Sequence, residues 1–263
     1  MASGVPKPQV DTSRPHSARV YDYLLGGKDN YLVDQQLADL LPDLVAHTAR
    51  QNRAFMHRAV AWSARTGIDQ FLDVGTGIPT QPNLHQIAQG VDPAARVVYV
   101  DNDPIVLRHA EALLVSSPEG RTDYLHADVR DPAAILERAG ELLDLDRPVA
   151  LSLVALLHFV LDEEDPYGIV RTFLDALAPG SHLVLSHATM DTFPGPVDHE
   201  QERMYRSNIP NQMRTRAEVE RFFDGLDLVE PGVVTPAEWF KDTPAPDAGD
   251  LPVLLYAGVA RLP

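Results

Sequence analysis

The stretch Phe71-Leu72-Asp73-Val74-Gly75-Thr76-Gly77-Ile78-Pro79-Thr80 decides how this chain is read. It opens as a short apolar run fit for a buried strand. It then turns through Gly-Thr-Gly, and Pro79 suits the first turn of a helix, where a missing N–H costs nothing. A strand that feeds a helix through such a turn can cradle a ligand. Gly75 and Gly77 let backbone come close to it, and the helix N-terminus adds unpaired N–H groups. A dinucleotide fingerprint needs a third glycine where this chain has Thr80. Asp73 would repel a pyrophosphate and suits a ligand that carries an amino group.

Outward from this turn, strand and helix patterns alternate. Strands are expected at 70–75, 96–101, 122–127, 148–156 and 181–187, with helices from about 80 to 89, from Pro104, and over 166–177. That alternation predicts an α/β fold with a mostly parallel sheet and helices on both faces. Late strands at 226–234 and 253–261 supply a terminal antiparallel pair. Thr215-Arg216-Ala217-Glu218 has capping-box spacing for a helix running to about Phe223. Residues 191–214, with Pro194, Pro196 and Pro210, read as an irregular insertion on the substrate side.

Before the first strand, residues 1–15 read as a disordered arm and 16–67 as a helical N-terminal extension, with helices at 34–41 and 43–66. Within it, Arg19 to Tyr31 gathers three tyrosines, Gly26-Gly27 and Asn30. One reading is an amphipathic helix stopped by the glycine pair. The sharper reading is a cap over the ligand, with Tyr21, Gly26, Gly27 and Asn30 facing it.

In a doubly wound sheet, ligands bind outside the carboxyl ends of the strands. Asp101, followed by Asn102, ends the second strand, where a carboxylate accepts hydrogen bonds from ribose hydroxyls. Asp128 and Val129 follow the third strand. Asp131 is the better N-cap for the helix after Pro132, which leaves Asp128 for another task.

These elements, in this order, resemble the class I S-adenosylmethionine-dependent methyltransferases. Asp73-x-Gly75-x-Gly77 matches their Asp/Glu-x-Gly-x-Gly motif. Leu156 to Asp162 and Leu177 to His187 match the segments around their fourth and fifth strands. Arg19 to Asn30, Gly77-Ile78-Pro79-Thr80, and Phe223-Asp224-Gly225-Leu226 leading to Val229-Glu230-Pro231-Gly232 are more specific. They are similar to an actinobacterial-type family of S-adenosyl methyltransferases, formerly classed as a domain of unknown function. The resemblance implies a Rossmann-like sheet at 68–263 and S-adenosyl-L-methionine as cofactor, with S-adenosyl-L-homocysteine as product. It implies that Gly75, Thr76 and Gly77 hold the methionine part, that Asp73 assists that turn, and that Pro79 and Thr80 also belong to the cofactor site. Asp101 and Asn102 would then bind the ribose, Asp128 and Val129 frame the adenine, and Val154 and Ala155 complete the site. It implies no acceptor.

The 263-residue chain is 44% hydrophobic, enough for a sizeable core, and carries a formal charge of −16. That charge favours a small molecule or a basic protein over nucleic acid as the acceptor, a small molecule being the expectation. With no cysteine there is no disulfide, thiolate metal site or cysteine nucleophile, as fits a cytoplasmic protein. No apolar run reaches transmembrane length, no metal site is indicated, and the oligomeric state is not encoded legibly. His182 and His187 point to opposite faces of one strand. Ser152 and Ser186 lack a nucleophile elbow. Asp162 to Asp165 read as a solvated helix start. His158, where the fourth strand meets the cleft, is either a general base for the acceptor or a hydrogen-bonded wall residue. Two rival functions are a non-catalytic S-adenosylmethionine-binding sensor and a nicotinamide-dependent oxidoreductase, the latter disfavoured by Thr80.

Overall fold

Val97, Val98, Tyr99 and Val100 are all buried, and a strand apolar on both faces needs a helical layer over each. The computed structural model of the protein describes residues 11–113, 115–196, 198–239 and 251–263 and shows both layers. The chain enters through α1 (Ser17–Leu24), α2 (Leu32–Ala38) and α3 (Asp43–Arg65). It then alternates through β1 (Gln70–Val74), α4 (Leu84–Val91), β2 (Arg96–Asp101), α5 (Pro104–Leu113), β3 (Arg121–His126), α6 (Pro132–Ala139), β4 (Ala150–Val154), α7 (Pro166–Asp175) and β5 (His182–Ala188). It closes with α8 (His199–Asn208), α9 (Arg216–Glu220), β6 (Asp227–Leu228) and β7 (Leu255–Arg261).

The strands form one sheet in the order β3-β2-β1-β4-β5-β7-β6. β1 to β5 run parallel, and β7 lies antiparallel between β5 and β6. Strand order reverses between β1 and β4, which opens a crevice at their carboxyl ends. On one face, Ile135 of α6 and Phe173 of α7 pack on Leu72, Leu151 and Leu183. On the other, Met56 and Val60 of α3 and Leu84 of α4 pack on Phe71, Val97 and Tyr99. In the same turns of α3, Phe55 and Ala59 meet Val184, Val259 and Trp239. Each large apolar side chain fully buried here contributes about 1.5–3 kcal/mol.

Several expectations change. The helix after β1 begins at Leu84, so Pro79 and Thr80 lie in the connecting turn and not in a helix. Its start is set by Asn83, whose N–H donates to Gln86 Oε1 at 2.7 Å in a capping box. The helix expected at 34–41 starts at Leu32, because the Asp34 carboxylate accepts the Tyr31 N–H at 2.8 Å. The 191–214 insertion contains α8, which the sequence disguised: HEQERMYRSN has no apolar stripe. The late strand shrinks to Asp227–Leu228 plus an isolated bridge at Val234, since Pro231 and Gly232 interrupt it. The 16–67 extension divides: α3 is a structural layer of the sheet, and only α1 and α2 lie above it. They pack with Phe159 and with Tyr205 and Ile209 of the insertion, through Val20, Leu37 and Ala38. Of the expected disordered arm, residues 1–10 lie outside the described residues.

Candidate cofactor and active site

A cavity of about 460 Å3 opens at the carboxyl ends of β1 and β4. Its floor is the turn after β1. Gly75 and Gly77 have φ of +76° and +68°, a region costly for any residue with a Cβ. A Cβ on Gly75 would also lie 2.6 Å from the Leu156 side chain. The Asp101 carboxylate holds the turn in place. One oxygen accepts the Gly77 N–H at 2.8 Å and the other the Asp103 N–H at 2.9 Å. Burial pushes its pKa up, against those two donors. Asp73 accepts from Ser152 Oγ at 2.7 Å, and burial raises its carboxyl to about 6. Asp73, Gly75, Thr76, Gly77, Asp101, Asn102, Val129, Val154, Ala155 and Tyr21 all line the cavity.

Other expected residues are placed differently. Asp128 flanks the cavity between its lining neighbours Ala127 and Val129, and it accepts from Asn102 Nδ2 and the Arg130 N–H, each at 3.0 Å. Asp131 caps α6 by accepting the Ala134 N–H. Pro79 and Thr80 are outside the lining. Gly26, Gly27 and Asn30 also turn away from it, into a clasp around Asp22. There the Asp22 carboxylate accepts from the Asp29 N–H at 2.9 Å and Asn30 Nδ2 at 2.8 Å. A Cβ on Gly27 would strike that carboxylate, so the glycine serves the clasp and not a ligand.

The cap reaches the cavity through α1: Ala18, Val20, Tyr21 and Leu24 line it. Two ties hold α1 down. Buried Arg19 lies between Asp103, at 3.2 Å, and Asp34, at 3.6 Å. Tyr21 begins a hydrogen-bond chain across three elements. Its hydroxyl accepts from Asn52 Nδ2 at 3.0 Å, and Asn52 Oδ1 accepts from Ser186 Oγ at 2.6 Å. Ser186 Oγ accepts the Ala155 N–H at 2.9 Å, which steadies a non-glycine residue at φ +53°. Asn52 and Ser186 thus support the site, and no motif marks either of them.

His158 lines the cavity beyond Ala155. Its Nδ1 is buried without a hydrogen-bond partner, which leaves Nε2 as the approachable nitrogen. Burial, with His187 and Arg214 nearby, pushes its pKa well below the usual imidazole range, so the ring is neutral at pH 7. Arg214, missed in the sequence, fixes the loop that carries His158. Its guanidinium, buried against the rings of Tyr167 and Phe222, donates to the carbonyls of Leu157 and Val160, to Asp162 Oδ1 and to His187 Nε2. Asp162 is therefore an ion-pair partner, and Glu164 pairs with Arg130 at 2.6 Å; the acidic run is more than a solvated helix start. His182 stacks on Trp62 on one sheet face and His187 on Phe222 on the other.

The S-adenosyl methyltransferase family profile matches residues 3–263, nearly the whole chain. The chain belongs to the S-adenosyl methyltransferase family. The methyltransferase is also similar to two solved structures over nearly full length. A DUF574 family protein from Streptomyces avermitilis is 50% identical, with 97% of this chain and 100% of that one covered and a TM-score of 0.91. A methyltransferase candidate from Thermobifida fusca is 42% identical, with 99% of each chain covered and a TM-score of 0.86. The N-methyltransferase NodS from Bradyrhizobium japonicum, solved with S-adenosylhomocysteine, shares the fold at 14% identity. It covers 93% of this chain and 99% of its own, with a TM-score of 0.50. No protein of curated function matches in sequence. The family establishes S-adenosylmethionine as cofactor, and the cavity fits it: a glycine turn that a Cβ would fill, with acids at the ends of β1 and β2. Among the described residues, no helix is long and apolar enough to cross a membrane.

Proposed function

We propose that this methyltransferase acts on a small molecule held between the cofactor site and the helical cap. The observation that carries this is the cavity's extent. One continuous space runs from the Gly75–Gly77 turn past His158 to Leu24, Leu40 and Leu41 of the cap segment and Tyr205 of α8. Such a mostly apolar cleft suits a compact acceptor. The net charge of −16 disfavours a polyanionic one.

When bound, S-adenosylmethionine would supply a sulfonium-activated methyl group, which passes to the acceptor's lone pair as its bond to sulfur breaks and S-adenosylhomocysteine is left. Gly75, Thr76 and Gly77 would let backbone approach its amino-acid part, Asp73 would face the ammonium, and Asp101 would accept from the ribose hydroxyls. Asn102 would join Asp101 at the ribose, Asp128 and Val129 would frame the adenine, and Val154 and Ala155 would complete the site. His158 takes the acceptor's proton at Nε2, and its neutral state leaves that lone pair available. Tyr21 and the rest of α1 exclude water and help align the two substrates. Incubation with methyl-labelled cofactor and a fractionated metabolite extract tests the reading. Protein-dependent label in a small-molecule fraction is expected, whereas binding without transfer to any fraction would indicate a sensor.

A further inference from the structure

Asn211 stands beside His158 on the acceptor side of the cavity. The Gln212 N–H donates to the His158 carbonyl at 2.8 Å, which ties the two segments together. Asn211 lines the cavity yet is only 5% exposed. Its backbone carbonyl accepts from Arg206 Nε at 3.1 Å, and its Nδ2 donates to the Ile209 carbonyl at 2.8 Å. Those two bonds fix the backbone and the sense of the side-chain amide. Its Oδ1 accepts nothing among the described residues. A buried amide oxygen left without a donor is costly unless a ligand supplies one.

The surroundings limit what that ligand is. Leu41, Phe159, Met190, Phe193 and Met213 give this side of the cavity apolar walls. The arginines that flank it are already paired, Arg130 with Glu164 and Asp128, and Arg206 with Glu202. Arg53 donates to the Thr80 and Pro82 carbonyls beside the turn after β1, on the cofactor side. An anionic acceptor would therefore meet an amide oxygen and no spare cation. The Tyr205 hydroxyl can give or take a bond and so selects neither. His158 Nε2 and Asn211 Oδ1 can only accept. We propose that the acceptor is an uncharged, largely apolar molecule with two hydrogen-bond donors, one at His158 Nε2, where the methyl group arrives, and one held by Asn211 Oδ1. Asn211 then sets which donor faces the methyl group, and it disfavours ligands that leave its oxygen unpaired. This rests on the proposed function and adds the class of acceptor.

The test is calorimetry on the protein saturated with S-adenosylhomocysteine. The probes are the benzenediols (catechol, resorcinol and hydroquinone), phenol, which lacks the second hydroxyl, and the hydroxybenzoates, in which a carboxylate replaces it. In the parent, at least one benzenediol should bind about tenfold more tightly than phenol, and no hydroxybenzoate should match it. Asn211→Leu should bind that diol and phenol alike, with its affinity for S-adenosylhomocysteine unchanged. Structural damage would weaken both probes together, so the lost preference is specific. Asn211→Ala removes the same oxygen and serves if Asn211→Leu does not fold. No diol preference in the parent, a preference kept in the variant, or tighter binding of a hydroxybenzoate would overturn the assignment. The measurement needs no turnover. A protein that shows the preference but methylates no small molecule would instead refute the proposed function.

Discussion

Asp73 gives the account its sharpest pH dependence. Its folded carboxyl titrates at about 6, against an ordinary 3.8, because it is buried. Between those values the folded protein holds a proton that the unfolded chain has released. The stability this group contributes is therefore fully present below about pH 4 and is lost as pH rises through 6. The difference corresponds to about 3 kcal/mol for the ligand-free protein. A ligand ammonium reverses the preference, since it pairs only with the ionised form. At about pH 5 roughly a tenth of the protein has Asp73 ionised, and at about pH 7 roughly nine-tenths, so apparent affinity should differ about tenfold. The assay is calorimetric titration with S-adenosylhomocysteine across this range, in the parent and in Asp73→Asn. The variant should bind more weakly at neutral pH, lose this part of the pH dependence, and be more stable than the parent at pH 7 when free of ligand. A parent whose affinity is flat, or a variant whose profile follows the parent's, would refute the role of Asp73.

Asp101→Asn should weaken S-adenosylhomocysteine by about 1.5–3 kcal/mol through loss of charged bonds to the ribose. Both variants should also lower the melting temperature, Asp101→Asn because its single amide oxygen can serve only one of the Gly77 and Asp103 N–H groups and Asp101→Ala because both lose their acceptor; equal binding by either variant would remove the ribose assignment. His158→Ala should lower turnover of the identified acceptor far more than cofactor affinity, and unchanged turnover would make it a wall residue. Deletion of residues 1–31 should leave a folded sheet by circular dichroism but at least about tenfold weaker binding, since Tyr21 no longer closes on Asn52; undiminished affinity would make α1 a scaffold.

Much of this was legible because a few residues carry chain-level information. Asp73-x-Gly75-x-Gly77 marked the first strand and its turn, and Asp101 marked the end of the second strand. Thr215 and Glu218 form the capping box their spacing promised, with Thr215 accepting the Glu218 N–H. What escaped was of two kinds. Helix α8 buries little beyond Tyr205, so its sequence has no periodic signal. Arg53, Asn52, Ser186 and Arg214 act through neighbours distant in sequence: Ser186 is 134 residues from Asn52, and Arg214 is 57 from Leu157. No local pattern records such pairings. The glycine pair misled for a related reason. Gly26-Gly27 suggested approach to a ligand, but the approaching group is Asp22, only five residues before Gly27.

The central claim, methyl transfer to a small molecule under the cap, is tested most directly by following label from methyl-labelled S-adenosylmethionine into size-separated fractions of a cell extract. The account predicts label in a low-mass product, dependent on the protein and abolished by Asp101→Ala. Label found only in protein or nucleic acid, or none transferred by a protein that binds the cofactor, would contradict it.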